Sequence, residues 1–338
     1  MSPALSLWLQ FGLCAALIAA AGSRLSRYGN IIAKETGFSG TWVGILMLAT
    51  VTSLPELVAG LSAVALAQAP NLAVGEILGS CVFNLSILVV LDLLHRQESV
   101  YRRASQSHIL SAGFGVMLIG LTGFGLILSA RGELPAFGHV GIYSPFIFAL
   151  YVLAMRTIFY YEHRQMEEST EKADKIPGEM SLRHAVIGYS LAGVVVVGAG
   201  VWLPFIGAAL AELMGWGTTF VGTLLVAFAT SAPELVVTLA ALRLGALDMA
   251  IGNLLGSNLF NIAILALADV AFLQGPLLAH VSPLHGVSAL SAVMMSGLTI
   301  VALLYRPKAR LLKTVGWTSL FLFLIYLLNS CILYLYRE

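Results

Sequence analysis

The sequence predicts an all-α polytopic membrane protein, with ten transmembrane helices arranged as two inverted five-helix repeats. Three observations predict this fold. The chain is 59% hydrophobic and only 10% charged, its apolar segments are long enough to cross a bilayer, and a set of motifs occurs twice. Because so little of the surface is charged, most of it must face lipid rather than water. The net charge of +1 gives no indication of a nucleic-acid partner.

A window of about 20 residues, the length of helix that crosses the hydrocarbon, predicts the spans. They cover approximately residues 5–22, 41–67, 72–94, 108–130, 139–159, 184–211, 218–242, 248–273, 283–305 and 314–336. The connection at 160–183 is long and rich in charges of both signs, so we interpret it as a solvated linker. It divides a first five-helix repeat at 1–159 from a second at 184–338.

The basic residues predict the orientation of the chain. Of the 18 lysines and arginines, all but Arg131 and Arg337 fall in or beside the odd-numbered connections. The positive-inside rule then places the linker in the cytoplasm and both termini outside. Since an odd number of spans separates equivalent points of the two halves, the second half enters the membrane from the opposite side. That is the arrangement of an inverted repeat, which lets one central site face either side in turn.

The motif Thr52–Glu56 is matched by Thr230–Glu234, and each copy lies within an apolar run. A carboxylate in hydrocarbon is costly, so two glutamates at matched positions indicate a functional site. The proline of each motif removes a backbone donor and kinks its helix. In lipid the freed carbonyls persist only where protein, water or a cation satisfies them. Hydroxyls before the kink and a carboxylate after it gather hard oxygen ligands, which suit sodium and calcium.

A second motif, Gly75–Asn84, is matched by Gly252–Asn261. In each copy a serine and an asparagine lie four residues apart on one helix face; the pairs are Ser80 with Asn84 and Ser257 with Asn261. The glycines in these motifs let neighbouring backbones approach closely. Ordinary helix packing explains the glycines, but it gives no reason to bury two carboxylates.

The pattern T-S-x-P-E followed by G-x-x-x-G-S-x-x-x-N, present twice, resembles the cation/calcium exchanger superfamily, most nearly the prokaryotic sodium/calcium exchangers. The resemblance covers both signature regions, roughly 40–94 and 218–273. It implies a midplane site of central carboxylates, hydroxyls, backbone carbonyls and amides. These are Glu56 and Glu234; Ser53, Ser231, Ser80 and Ser257; Ala49, Thr52, Ala227 and Thr230; and Asn84 and Asn261.

The resemblance also implies a function. Members of this family are secondary active antiporters that typically run sodium inward to drive calcium outward, by sliding the first and sixth helices over a rigid core. The implied partners are the lipid bilayer and the two ions, with no cofactor beyond them, and the implied location is the cell (inner) membrane. The oligomeric state and the stoichiometry stay open.

Glu76 departs from the family pattern, which usually has asparagine at this position, as Asn253 does in the second copy. On an ideal helix Glu76 lies one turn before Ser80, so it either deepens the negative site or binds a proton. A carboxyl group that reaches the outer interface is the alternative. Asn261 stands where some prokaryotic members have aspartate. A proton/cation exchanger on the same scaffold is therefore the second hypothesis.

A channel and an intramembrane enzyme are weaker hypotheses. A channel needs an open path, and the sequence has neither the H-E-x-x-H nor the G-x-S-x-G arrangement of common hydrolases.

Asp92 and Asp269 are equivalent in the two halves, and we expect both at the membrane interfaces. The seven histidines lie in or near connections and are not assigned to a metal.

Overall fold

The structure, a computed structural model, describes residues 2–35, 49–95, 98–132, 135–168, 181–307, 310–311 and 315–336. The principal helices are α1 Pro3–Glu35, α2 Leu54–Ala65, α3 Pro70–Leu94, α4 Ser107–Ala130, α5 Tyr143–Glu168, α6 Leu182–Met214, α7 Ala232–Arg243, α8 Leu247–Ala271, α9 His285–Tyr305 and α10 Trp317–Leu335. Shorter helical segments are Val100–Arg103, Thr218–Phe220, the π-helix Val221–Val226, Ala227–Thr230 and the 3-10 helix Leu277–His280.

Two antiparallel hairpins of two-residue strands precede α5 and α10. Strand β1 Ala136–Phe137 pairs with β2 Val140–Gly141, and β3 Arg310–Leu311 pairs with β4 Val315–Gly316. The rest of the described secondary structure is helical, as predicted.

In the described part of the chain, eight helices are long and apolar enough to cross a membrane. The count rises to nine when the helical segment before α7 is joined to α7 as one bent span. Helix α2 is a shorter apolar helix, and most of the first half of its predicted span, 41–67, lies outside the described residues. Ten spans therefore stay a prediction.

Two predicted boundaries differ from the structure. Helix α1 continues well past residue 22 to Glu35, and α5 continues to Glu168. The first part of the predicted linker at 160–183 is thus helical, because its charged residues are good helix formers and do not stop the helix. Residues 169–180 of the linker lie outside the described part of the chain.

The helix of each T-S-x-P-E motif is interrupted at its serine. Ser53 has φ −86° and ψ 14°, Ser231 has φ −84° and ψ 9°, and a new helix begins at the next residue in each case. In the second motif the two parts meet at an angle of 45°. The proline at the start of each new helix is compatible with its first turn, where the missing N–H has no intrahelical partner.

The centre of the molecule is formed by α3 and α8. In each of these two helices, 72% of the residues in the most apolar 18-residue stretch are buried. The corresponding share is 22% in α1 and 28% in α5 and α10. Helices α1 and α6 pack along each other outside this centre.

Glycines allow α3 to contact the backbone of the segment before α7. A Cβ atom added to Gly79 would collide with the backbone carbonyl of Thr223, and one added to Gly222 would lie 2.5 Å from the carbonyl oxygen of Leu72. The two backbones are therefore closer than any side chain at these positions would permit.

Asp92 and Asp269 lie at the ends of α3 and α8 and are fully buried within the protein, and their position at the membrane interfaces stays a prediction. Asp92 accepts hydrogen bonds from the backbone N–H of Gly316, at 3.0 Å, and from the hydroxyl of Ser319, at 2.8 Å. Both donors belong to the start of α10. These contacts cover the end of α3, and Asp92 is buried because of them.

Asp269 has the same role on the other half of the chain. It accepts from the backbone N–H of Gly141, at 2.8 Å, and from the hydroxyls of Ser144 and Tyr143, at 2.5 Å each, as well as from the N–H of Leu277 at 2.6 Å. Each aspartate therefore holds the first turn of a helix from the other half of the chain, where an anion also meets the positive end of the helix dipole.

We expect Gly79→Ala to destabilise the protein by roughly 1–3 kcal/mol, because the added methyl group overpacks a backbone contact. Gly113 in α4 has no atom within 4 Å of an added Cβ, so Gly113→Ala is the matched control and should be neutral or slightly stabilising. Thermal unfolding of the detergent-purified variants measures both. Equal midpoints for the two variants would contradict the close contact.

We expect Asp269→Asn to lower the free energy of unfolding by roughly 1–3 kcal/mol, since the amide cannot accept from all four donors. Glu212 is exposed, and Glu212→Gln serves as the control for a carboxylate-to-amide change. Thermal unfolding is again the measurement. A normal midpoint for Asp269→Asn would show that the hydrogen bonds of Asp269 contribute little.

Candidate ion-binding site

The two motif glutamates are each held by the serine of the other motif. The hydroxyl of Ser53 donates to Glu234 Oε1 at 3.0 Å, and the hydroxyl of Ser231 donates to Glu56 Oε1 at 2.7 Å. All four side chains have no exposed surface. The helix breaks produce this arrangement, because each serine at a break lies three residues before its own glutamate and reaches across to the opposite one.

Residues of α8 complete one side of the site. The Ser257 hydroxyl lies 3.4 Å from Glu234 Oε1 and 3.4 Å from the carbonyl oxygen of Ala49. It also lies 3.3 Å from the hydroxyl oxygen of Thr52. Carboxylate, hydroxyl and carbonyl oxygens from both halves of the chain thus meet at Ser257.

The opposite side is formed by α3. Glu76 Oε1 accepts from the hydroxyl of Thr230 at 3.0 Å, so the carboxyl group points to the protein interior rather than to an interface. Thr230 also lies close to the carbonyl oxygen of Ala227, at 3.3 Å. Ser80 and Asn84 follow on the same helix, and both are fully buried.

Asn258 and Asn253 make hydrogen bonds at the site that were not predicted from the sequence. Asn84 Nδ2 donates to Asn258 Oδ1 at 3.1 Å, and Asn258 Nδ2 donates to the carbonyl oxygen of Cys81 at 3.2 Å, which joins α3 to α8. Asn253 accepts from Thr52 at 3.3 Å. Asn258 directly follows Ser257 in the second motif, so a further amide beside the motif serine in a predicted transmembrane helix was an available signal.

Several buried oxygens of the site have no hydrogen-bond partner among the described residues. They are Glu56 Oε2, Glu76 Oε2, Glu234 Oε2, Ser80 Oγ, Asn84 Oδ1 and Asn261 Oδ1. Leaving one buried polar atom unsatisfied costs about 1–3 kcal/mol, and more for a charged group. Several unsatisfied oxygens in one region could serve as ligands for a bound cation.

Ion pairs of the described residues include those of Glu98 with Arg102 and Arg103 and of Asp248 with His108. Among the described residues, no basic side chain forms an ion pair with the three buried glutamates. The ligand atoms of the site are hard oxygens of the kind that sodium and calcium prefer. These ions therefore suit the site as transported ions.

The fold and this site define a multi-pass membrane protein that moves ions. The chain belongs to the sodium/calcium exchanger family: the family described as "Sodium/calcium exchanger protein" matches residues 6–156 and 184–333. Its members are ion exchangers rather than enzymes. This confirms the family that the two sequence motifs predicted.

Two curated relatives illustrate the range of the family. Inner membrane protein YrbG of Escherichia coli strain K12 is 28% identical over 250 residues, covering 73% of this chain and 74% of the relative. Sodium/calcium exchanger MaX1 of Methanosarcina acetivorans is 25% identical over 260 residues, covering 69% and 73%.

Solved structures share the fold. The H+/Ca2+ exchanger CAX aligns with a TM-score of 0.69 at 13% identity, covering 98% of this chain and 86% of that one. The sodium-calcium exchanger NCX_Mj aligns with a TM-score of 0.61 at 21% identity, covering 97% and 98%. At these identities the alignments establish the fold alone, and neither sodium nor proton coupling follows from them.

Proposed function

We propose that this protein is a secondary active antiporter, which exchanges sodium for calcium by alternating access at a midplane site. The observation that carries the proposal is the crossed pairing of Ser53 with Glu234 and of Ser231 with Glu56, which brings two buried carboxylates into one region without a basic partner. The family and its relative MaX1 support the choice of ions.

The buried charge explains how two ion flows are coupled. Carboxylates in a region of low dielectric constant repel one another, and their desolvation is costly. Bound cations remove both costs. The protein with an empty site therefore resists switching between its inward-facing and outward-facing states. The protein whose site is neutralised by calcium or by several sodium ions switches between them. Only loaded states cross, which is the requirement for exchange.

We assign the ligands as the family resemblance implies them, and we add Glu76, which departs from the family pattern. The carboxylates are Glu56, Glu234 and Glu76, the hydroxyls Ser53, Ser231, Ser80 and Ser257, the carbonyls Ala49, Thr52, Ala227 and Thr230, and the amides Asn84 and Asn261. Every one of these residues has a relative exposure of 1% or less, as an oxygen ligand in the membrane centre requires.

The proposed architecture is ten spans in two inverted repeats, with a cytoplasmic linker and both termini outside. Contacts that recur at matched positions support the repeat. Asp92 and Asp269 each hold the start of a helix from the other half, as described above. Likewise, Asp248 accepts from the N–H of Ser105, at 2.7 Å, just as Asn71 accepts from the N–H of Ser282, at 2.7 Å.

Helices α1 and α6 are the proposed moving elements. A Cβ atom added to Gly22 of α1 would collide with Pro233 at the second helix break, and one added to Gly200 of α6 would lie 3.0 Å from Val58 of α2. Both helices thus pack on the parts of the chain that carry the glutamates. Their sliding would change the access to the site.

Proton-coupled exchange of calcium or another divalent cation is the second candidate. Glu76 favours it, because this third carboxylate can take up a proton in place of a metal ion. The fold is compatible with both mechanisms, since it is shared with both a sodium-calcium and an H+/Ca2+ exchanger.

The test is uptake of radiolabelled calcium into sodium-loaded proteoliposomes after dilution into sodium-free buffer. We expect uptake that depends on the sodium gradient, and we expect Glu56→Gln and Glu234→Gln to reduce it at least about tenfold, since each loses a charged ligand. Glu212→Gln, at an exposed position, should retain the flux. Equal uptake with and without the sodium gradient would rule out sodium coupling.

A pH gradient separates the two candidates. With sodium absent from both sides, we expect an imposed pH difference to drive little calcium uptake through the sodium/calcium exchanger. Uptake that follows the pH gradient, is indifferent to sodium and is lost in Glu56→Gln would select the proton-coupled alternative instead.

A further inference from the structure

Two histidines occupy matched positions at the starts of α4 and α9. They are His108 and His285, and each is preceded by a serine three residues earlier, Ser105 and Ser282. Both histidines are buried, with relative exposures of 2% and 0%. Each contacts the first turn of the central helix from the opposite half of the chain, which is α8 for His108 and α3 for His285.

The partners of the two histidines have the same geometry but a different charge. Asp248 Oδ1 lies 3.0 Å from His108 Nε2 and accepts from the backbone N–H of the preceding serine at 2.7 Å. Asn71 Oδ1 lies 3.2 Å from His285 Nε2 and accepts from the backbone N–H of the corresponding serine at 2.7 Å. The same contact therefore has a carboxylate in one copy and an amide in the other.

A second carboxylate lies near His108. Glu162, close to the end of α5, is half-buried and interacts with the hydroxyl of Ser107 and with the charges of His108 and Asp248. The Asp248 side chain is more open, with a relative exposure of 53%. The ends of α4, α5 and α8 thus meet at one histidine that has two carboxylates beside it.

The other charged groups of the surrounding elements are paired or exposed. The two arginines of the short helix Val100–Arg103, which precedes α4, form ion pairs with Glu98. Exposed arginines of α5, of the end of α7 and of the end of α9 are Arg156, Arg164, Arg243 and Arg306. Among the described residues, His108 is the basic group that acts on both Asp248 and Glu162.

The matched site of the second half has no such charges. His285 is fully buried, and its Nε2 lies 3.2 Å from Asn71 Oδ1 and 3.5 Å from the hydroxyl oxygen of Thr219. Both of these neighbours are neutral, so a proton on His285 would place an unpaired charge in the interior at a high cost. At His108 the two carboxylates can pair with that charge. Histidine is also the side chain that ordinarily changes its charge between about pH 5 and about pH 8.

We infer that His108, Asp248 and Glu162 form a pH-sensitive latch, which joins the ends of α4, α8 and α5 on the face predicted to be cytoplasmic. A proton on His108 offsets one of the two carboxylate charges and holds the three ends together. Without that proton the two carboxylates repel each other, and the end of α5 is released.

The position of the latch in the chain gives it a role in regulation. Helix α5 leads through the linker at 160–183 into α6, which is one of the proposed moving helices. A closed latch restrains α6, so exchange slows when the pH at this face falls. This inference rests on the proposed function and adds its regulation.

The test is sodium-driven calcium uptake into everted membrane vesicles, because their medium bathes the face predicted to be cytoplasmic. Vesicles from cells that lack the protein supply the background. At saturating calcium, we expect the maximum rate to fall at least about fivefold between about pH 8 and about pH 6 in the medium, as for a typical coupling between two sites. Asp248→Asn recreates the neutral pair of His285 with Asn71, and its rate should fall by less than about twofold.

The maximum rate separates the latch from protons at the central site. A proton that competes with calcium for Glu56 and Glu234 raises the calcium concentration for half-maximal uptake but leaves the maximum rate unchanged. An equal fall in the maximum rate of the unaltered protein and of Asp248→Asn would overturn the inference. A maximum rate of the unaltered protein that does not respond to pH would overturn it as well.

Thermal unfolding of the purified full-length protein in detergent examines the latch without transport. The charged pair forms only when His108 is protonated, so its stabilisation is present at low pH and is lost as the pH rises. We expect the midpoint difference between the unaltered protein and His108→Gln to be about 1–2 °C larger at about pH 6 than at about pH 8, since Asp248 is half-exposed. His184 is an exposed histidine at the start of α6, and His184→Gln should retain the response of the unaltered protein.

The two measurements distinguish a failure of the latch from a failure of the exchange. If the sodium gradient drives no calcium uptake but the midpoint difference still grows at low pH, the proposed exchange is wrong and the pH-sensitive contact stands. If uptake is sodium-driven but neither His108→Gln nor Asp248→Asn changes its pH response, the latch is wrong and the exchange stands.

Discussion

The structure depends on the burial of Glu56 and Glu234, which form no ion pair with a basic residue in the described part of the chain. Each carboxylate has one oxygen satisfied by a serine from the opposite motif and one oxygen without a partner among the described residues. An isolated charge in this position would be too costly to retain. The proposed ion dependence of the protein follows from this constraint, because bound cations or protons would supply the missing charge.

The surrounding structure fixes the positions of these oxygens. The break at Ser53 and the break at Ser231 turn the serine hydroxyls across the site, and α3 meets the segment before α7 through glycine. Asp92 and Asp269 hold the outer ends of the same central helices. Helices α1 and α6 pack on the outside of this centre, against the helices that carry the glutamates.

The sequence predicted the helical fold and the buried carboxylates, because both follow from local patterns of hydrophobicity and proline. It did not predict that Ser53 binds the distant Glu234, since the relative rotation of two helices depends on packing rather than on spacing. It did not predict the contacts of Asp92 for a similar reason: the partners Gly316 and Ser319 are remote in sequence. The end of α5 was misplaced because its charged residues are compatible with both helix and linker.

Differences between the two halves have a consequence for the proposed mechanism. In an inverted repeat, the inward-facing and outward-facing states exchange the roles of the halves, so identical halves would give both states the same energy. Residues that differ at matched positions therefore set the energy difference between the states. One such pair is Glu76 and Asn253, and another is Asp248 and Asn71. In each pair the carboxylate and the amide accept equivalent hydrogen bonds, so the contact recurs in both halves but the charge does not. In the proposed inverted repeat, charge placed on only one side would therefore bias which face of the membrane the site prefers.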